Sequence, residues 1–198
     1  MKHLNLKAAA IMLSLLVSIN AYSQDFHYGL RAGANFSVQS GIADYYNNEE
    51  IRTGFSGGLF ANMPLSRSIR LQAEVNYDQK GGKSEYMTAK YDYITIPVLA
   101  KFYIGSGDRD LKFNLNVGPY AGFLVNAEIL DDNDNKTDIK DDTENFEFGA
   151  IAGLGLSYPV ANNNIVFDLR LGLGINEFNK EITDSRNKYV GVSLAYEF

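Results

Sequence analysis

From residue 24 onward, apolar and polar positions alternate with period two, and the alternation breaks and resumes to give eight stretches. The clearest sets Ile69, Leu71, Ala73, Val75 and Tyr77 against Arg70, Gln72, Glu74, Asn76 and Asp78. One face is wholly apolar and the other wholly polar, the pattern of a strand between two unlike environments. The first stretch places Tyr28, Leu30, Ala32, Ala34 and Phe36 against Gly29, Arg31, Gly33, Asn35 and Ser37. The second places Phe55, Gly57, Leu59, Ala61 and Met63 against Gly54, Ser56, Gly58, Phe60 and Asn62. The fourth, residues 91–104, carries Ile94, Ile96, Val98, Ala100 and Phe102 on one face and contains Pro97, which predicts a local bulge. The remaining strands are expected over residues 111–126, 146–158, 165–176 and 189–198, the last setting Val190, Val192, Leu194, Tyr196 and Phe198 against Gly191, Ser193, Ala195 and Glu197.

Most of these stretches exceed the roughly 5–6 residues of strands in soluble sheets and reach the about 9–11 that a tilted strand needs to cross a bilayer. The connections alternate in length. Short turns are expected at residues 64–67, 105–109 and 159–164, and longer polar loops at residues 39–52, 79–90, 127–145 and 177–188. Short turns at one end and long loops at the other are the arrangement of bacterial outer-membrane barrels, with short turns and termini in the periplasm. The predicted fold is all-β, an eight-stranded up-and-down antiparallel transmembrane β-barrel.

Aromatic residues sharpen that expectation. Phe26, Tyr28, Phe102, Phe113, Tyr158, Phe167, Tyr196 and Phe198 fall at the short-turn end, and Phe36, Phe55, Tyr77, Phe123, Phe148 and Tyr189 at the long-loop end. Two aromatic girdles around an aliphatic band fit a bilayer with two interfaces. The polar faces carry Arg31, Arg70, Lys101, Lys112 and Arg170 with Glu74, Asp78, Glu147, Asp168 and Glu197. An eight-stranded barrel is just wide enough for side chains to fill it, so these ten groups are expected to form a paired plug rather than a solute path.

The first 23 residues read as a signal peptide. Lys2 and Lys7 form a basic start, residues 8–19 are an apolar run, and Ala21-Tyr22-Ser23 offers small residues before a cut at Gln24. The expected domains are therefore residues 1–23, a cleaved signal peptide, and residues 24–198, the barrel. Cleavage removes Lys2 and Lys7 and takes the formal charge from −6 to −8, a poor balance for binding nucleic acid. The mean hydropathy of −0.19 does not argue against a membrane barrel, whose strands are apolar on one face only.

Candidate chemistry is sparse. There is no Cys, and after cleavage only His27 remains as an imidazole, with no nucleophile beside it. No catalytic, cofactor-binding or metal-binding residues are expected. Residues 131–142 place Asp131, Asn133, Asn135 and Asp142 at positions 1, 3, 5 and 12 of a calcium-loop register, but position 6 is Lys136 instead of Gly and position 12 is not Glu. A solvated acidic loop is the expectation there, with a weak divalent site as its rival.

As a set, Gly29-Leu30-Arg31-Ala32-Gly33-Ala34-Asn35-Phe36-Ser37, Leu71-Gln72-Ala73-Glu74-Val75-Asn76-Tyr77 with Gln79-Lys80-Gly81, and Tyr93-Ile94-Thr95-Ile96-Pro97-Val98-Leu99 resemble the PorT-like outer-membrane β-barrel family of the Bacteroidetes. Val117-Gly118-Pro119-Tyr120, Phe148-Gly149-Ala150 and Gly153-Leu154-Gly155 extend the resemblance over nearly all of the mature chain. Where that family often carries Glu before the Ile-Pro pair, this chain has Thr95. The resemblance implies the fold and an outer-membrane location and little about activity; with so little candidate chemistry in the chain, the expected role is a non-enzymatic structural or interaction one. Accessory service in secretion or gliding is an alternative, and a soluble barrel binding an apolar ligand is a second one. Expected partners are outer-membrane lipid and lipopolysaccharide, a secretion-system or surface protein, and the barrel assembly machinery, which would read the terminal Phe198.

Overall fold

The computed structural model describes residues 26–40, 50–83, 87–104, 111–131, 135–176 and 186–198. The expected signal peptide, the turn at residues 105–109 and parts of the long loops, including residues 132–134, lie outside the described residues.

Eight long strands follow one another: β1 (His27–Ser40), β2 (Arg52–Pro64), β3 (Ile69–Lys83), β4 (Met87–Ile104), β5 (Lys112–Asp131), β7 (Phe146–Val160), β8 (Asn163–Gly174) and β9 (Arg186–Glu197). A three-residue strand, β6 (Lys136–Asp138), and a 3₁₀ turn at Lys140–Asp142 lie between β5 and β7. The long strands pair antiparallel with their chain neighbours, and β1 pairs with β9 from Gly29↔Glu197 to Ser40↔Arg186. That last ladder closes the sheet into a barrel, so none of the eight long strands is left as a free edge.

The two faces sort as the period-two pattern predicts. Tyr28, Leu59, Val75, Phe113, Leu154, Leu171 and Leu194 are exposed on the outside, while Glu74, Asn76, Asn116, Asp168 and Arg170 are buried inside. This inversion of a soluble core places apolar side chains around the wall and polar ones in the lumen. Glycine on the inner wall makes room for large neighbours. A Cβ on Gly172 would lie 2.0 Å from the Tyr189 ring, and one on Gly29 would lie 2.2 Å from the Phe60 ring.

Several expectations are corrected. Residues 79–83 and 87–90 are strand, not loop. β3 runs on to Lys83 and β4 begins at Met87, because the Lys80↔Tyr91 and Gly82↔Ala89 pairs continue the ladder past the apolar band. β5 likewise extends to Asp131 and pairs with β6, so residues 127–145 are partly strand. The bulge lies not at Pro97 but in β5 at Val125, where register shifts between Asp92↔Asn126 and Tyr93↔Leu124. Pro97 stays in register with Tyr120, because a proline removes one ladder donor without adding a residue. At the short-turn end, β7 and β8 reach Val160 and Asn163, leaving Ala161–Asn162 as a two-residue turn. Tyr189 does not belong to the outer girdle. It shares parity with Gly191 and Ser193 and points inward over Gly172.

The extension of β3, β4 and β5 has a small core of its own. Ala89, Tyr91, Tyr93, Leu124 and Ala127 cluster on its inner side, with Ile129 and Ile139 packed against them. Lys140 Nζ donates to the Val125 carbonyl at 2.8 Å, which ties the segment after β6 to the bulge.

Candidate functional site in the barrel lumen

Alternation along each strand sends every second side chain into the lumen, and closure brings together strands that are not neighbours in the sheet. At mid-height Glu74 of β3 is the hub. Its Oε2 accepts from Arg31 Nη1 of β1 at 2.7 Å and from Arg170 Nη1 of β8 at 2.9 Å. Arg170 Nη2 lies 2.9 Å from Glu74 Oε1, so this guanidinium engages the carboxylate with two nitrogens, and it also reaches Asp168 Oδ2 at 3.2 Å. Gln72 and Asn76 donate to the same carboxylate. Lys101 Nζ donates to Gln72 at 3.2 Å and lies 3.9 Å from Asp168. Every charge in this belt has a partner, the condition under which buried charges are tolerated.

Toward the long-loop end the arrangement changes. Asp78 is held by neutral donors: Asn35 at 3.1 Å, Ser56 at 2.6 Å and Thr95 at 2.5 Å. Lys80 Nζ, fully buried, lies 3.0 and 3.2 Å from the two Glu147 oxygens. The faces of Tyr93, Tyr120 and Tyr189 surround it at 5.0, 4.6 and 5.0 Å from their centroids. Tyr120 and Asn187 also donate to Glu147. Three ring faces and one carboxylate form an ammonium cage, occupied by the chain's own lysine. Arg52 donates to the Lys80 carbonyl just above it.

Two apolar clusters sit among the polar groups of the lumen. Leu99, Tyr120 and Ile151 pack together, and so do Phe60, Val166 and Ala195; Leu99 pairs with Gln72 of the belt, Phe60 with Glu74, and Tyr120 is shared with the cage. Toward the short-turn end Glu197 accepts from Arg70 at 3.0 Å, from Asn164 at 3.0 Å and from Asn62.

Of the ten charges expected in the plug, eight are buried there. Arg70 and Lys112 instead lie at the short-turn mouth, only partly covered. Arg52 and Lys80, assigned to loops by their sequence surroundings, take their places, so the buried set remains five cations and five anions. Lys80 could have been found by carrying the Asn76, Asp78 alternation one step further. His27 also lies at the mouth, in the lining of the same cavity as Arg70 and Lys112. Among the described residues no group of His, Cys, Asp or Glu is arranged to hold a metal ion. Asp131 caps its own loop instead, accepting from the Asn135 backbone and side-chain nitrogens at 2.9 Å each.

Residues 22–179 match the family described as outer membrane protein beta-barrel domain. The structure is similar to that of Neisserial surface protein A, with 14% identity, a TM-score of 0.55, and coverage of 86% of this chain and 97% of that one. It is also similar to a major outer membrane protein from Thermus thermophilus, with 13% identity, a TM-score of 0.53, and coverage of 88% and 100%. These likenesses concern the fold. No curated protein sequence matches the chain.

Proposed function

The chain belongs to the outer membrane protein beta-barrel domain family, and from that premise we propose that it is a non-enzymatic structural or interaction module. The observation that carries this reading is the closed lumen: ten buried charges among apolar clusters, inside a wall that is apolar outside. A lumen built this way favours rigidity over transport. The outward apolar face also counts against a soluble carrier, which would need that face inside.

In this reading both termini and the short turns face the periplasm, and the β3–β4–β5 extension rises from the outer surface. Outer-membrane lipid and lipopolysaccharide surround the wall, and Phe198 at the end of β9 is the group the assembly machinery reads. The extension supports an interaction role, because its outer side carries the charged Lys90, Asp92 and Glu128 beside Leu130. An accessory role in secretion or gliding, of the PorT-like kind, would use the same surface, and pull-down from native membranes separates it from a purely structural role.

The test of the closed lumen is electrical. Purified barrel in a planar bilayer is expected to show no steady conductance. Stable openings in the nanosiemens range, as in wide water-filled barrels, would overturn it.

A further inference from the structure

We propose that the short-turn half of the lumen, from the mouth up to the Glu74 belt, binds a set of ordered waters that stops beneath the Lys80 cage. Six side-chain atoms in this half are buried and have no hydrogen-bond partner: Oδ1 of Asn62, Asn76 and Asn116, Nδ2 of Asn114, and Nε of Arg31 and Arg170. All six residues are buried. Buried polar atoms of native proteins almost always have a partner, in the chain or in bound water.

The carboxylates of the lumen create these atoms. Asn62, Asn76 and Asn116 each turn Nδ2 toward a carboxylate, that of Glu197, of Glu74 at 2.9 Å and of Asp168 at 3.4 Å. Reversing any of these amides would set its carbonyl oxygen against an anion, so each Oδ1 is committed to the other side. Arg31 and Arg170 likewise spend their terminal nitrogens on Glu74, Ser193 and Asp168 and keep Nε. Two of the atoms in each sign then meet over a glycine. Gly153 pairs with both Asn116 and Arg170, and a Cβ on it would lie 2.7 Å from Asn116 Oδ1 and 3.0 Å from Arg170 Cγ. Gly58 pairs with both Arg31 and Asn76, and a Cβ on it would lie 2.4 Å from Asn76 Oδ1. One water at each glycine takes the Nε–H and gives a proton to the Oδ1.

The mixture of atoms selects the ligand. A cation would serve the three oxygens alone and an anion the three nitrogens alone, whereas water serves both. The spare N–H groups of Asn62 and Asn76 add to the donors without changing that conclusion. Supply comes from the mouth, where a cavity of about 270 Å³ is lined by His27 and Tyr103 among others. Asn62 pairs with His27 and Asn114 with Tyr103, so the two lowest atoms lie directly behind that lining. With about 30 Å³ to a water in the liquid, the cavity holds several. At the other end Lys80, Tyr120, Asn187 and Glu147 bond one another, and Asn187 stands beside the Tyr93 hydroxyl.

The stop at the cage rests on the closed-lumen reading, whereas the waters at the belt do not. The full mature chain, labelled with nitrogen-15 at Arg and Asn and refolded in uncharged maltoside micelles, is examined by NMR for cross-relaxation between water and side-chain N–H protons. Long-lived water contacts are expected at the Arg31 and Arg170 Nε–H and at the Asn114 amide, and none at the Asn187 amide in the cage. Asn116→Leu removes the acceptor beside Arg170, so the Arg170 contact should vanish while the Arg31 contact stays, with heat-modifiable gel mobility showing an intact barrel. If that variant does not fold, the contrast between Arg170 and Asn187 in the unaltered chain decides. No water contact at either Nε–H, or an Arg170 contact that survives Asn116→Leu, would overturn the proposal and leave the closed lumen standing. Contact at Asn187 as strong as at Arg170 would overturn both.

Discussion

The Glu74 belt and the Lys80 cage are two ways of burying charge in the same tube. In the belt, two guanidinium groups and a lysine share two carboxylates, and each cation has more than one polar partner. In the cage, one ammonium faces one carboxylate and three rings. The difference follows from the cations. A guanidinium presents a planar fork that links several acceptors, whereas an ammonium is a compact charge that aromatic faces can surround. The belt is therefore a network in which loss of one member strands others, and the cage is closer to an isolated pair.

The largest effect should come from the belt. Glu74→Ala leaves Arg31 and Arg170 facing each other without their shared carboxylate, at a cost of about 3–5 kcal/mol. Urea unfolding in lipid vesicles measures it, and a loss below about 1 kcal/mol would remove the network character of the belt.

Next is the wall beside it. Ala73 precedes Glu74 and faces outward, so Ala73→Arg places a guanidinium in lipid where no belt carboxylate can reach. The expected cost is about 2–4 kcal/mol at the bilayer midplane, read by the same titration. A neutral result would mean that the two faces are reversed.

The cage should be more forgiving. In Lys80→Met a thioether chain of similar length fills the space among the rings, and Glu147 keeps its bonds from Tyr120 and Asn187. The expected loss is about 1–3 kcal/mol, and adding Glu147→Gln should recover part of it, because removing both charges is milder than removing one. A double variant less stable than both singles would show that the cage, too, is a network.

The smallest effect lies far from both. Ala161→Gly relieves the left-handed turn residue and should stabilise the barrel by up to about 1 kcal/mol, seen as a slightly higher urea midpoint.

The barrel and its two faces could be read from the chain because the two environments impose opposite chemistry on alternate residues. Leu71, Ala73 and Val75 could not be exchanged for Gln72, Glu74 and Asn76 without reversing the wall. What could not be read is height along the axis. Arg70 and Lys112 have the parity of lumen residues, yet strand tilt carries them to the mouth. Gln79-Lys80-Gly81-Gly82 has the composition of a turn, yet the ladder with β4 continues through it. Pairing partners were equally hidden, since Arg31 and Glu74 lie 43 residues apart and Arg170 and Glu74 lie 96 apart. Only closure makes them neighbours.

Closure between β1 and β9 also bears on how quickly the molecule can form. Ser40 pairs with Arg186, and Gly29 with Glu197, so this ladder joins the two ends of the barrel sequence. Contacts of such large sequence separation are slow to establish, because the intervening chain loses its freedom before the contact repays it. Until β9 docks, β1 and β8 both present open edges able to pair with another chain. The hairpins can zip in order from local turns, but the last ladder sets the time during which a half-built wall is exposed to aggregation, and a factor that shelters those two strands would protect the whole molecule.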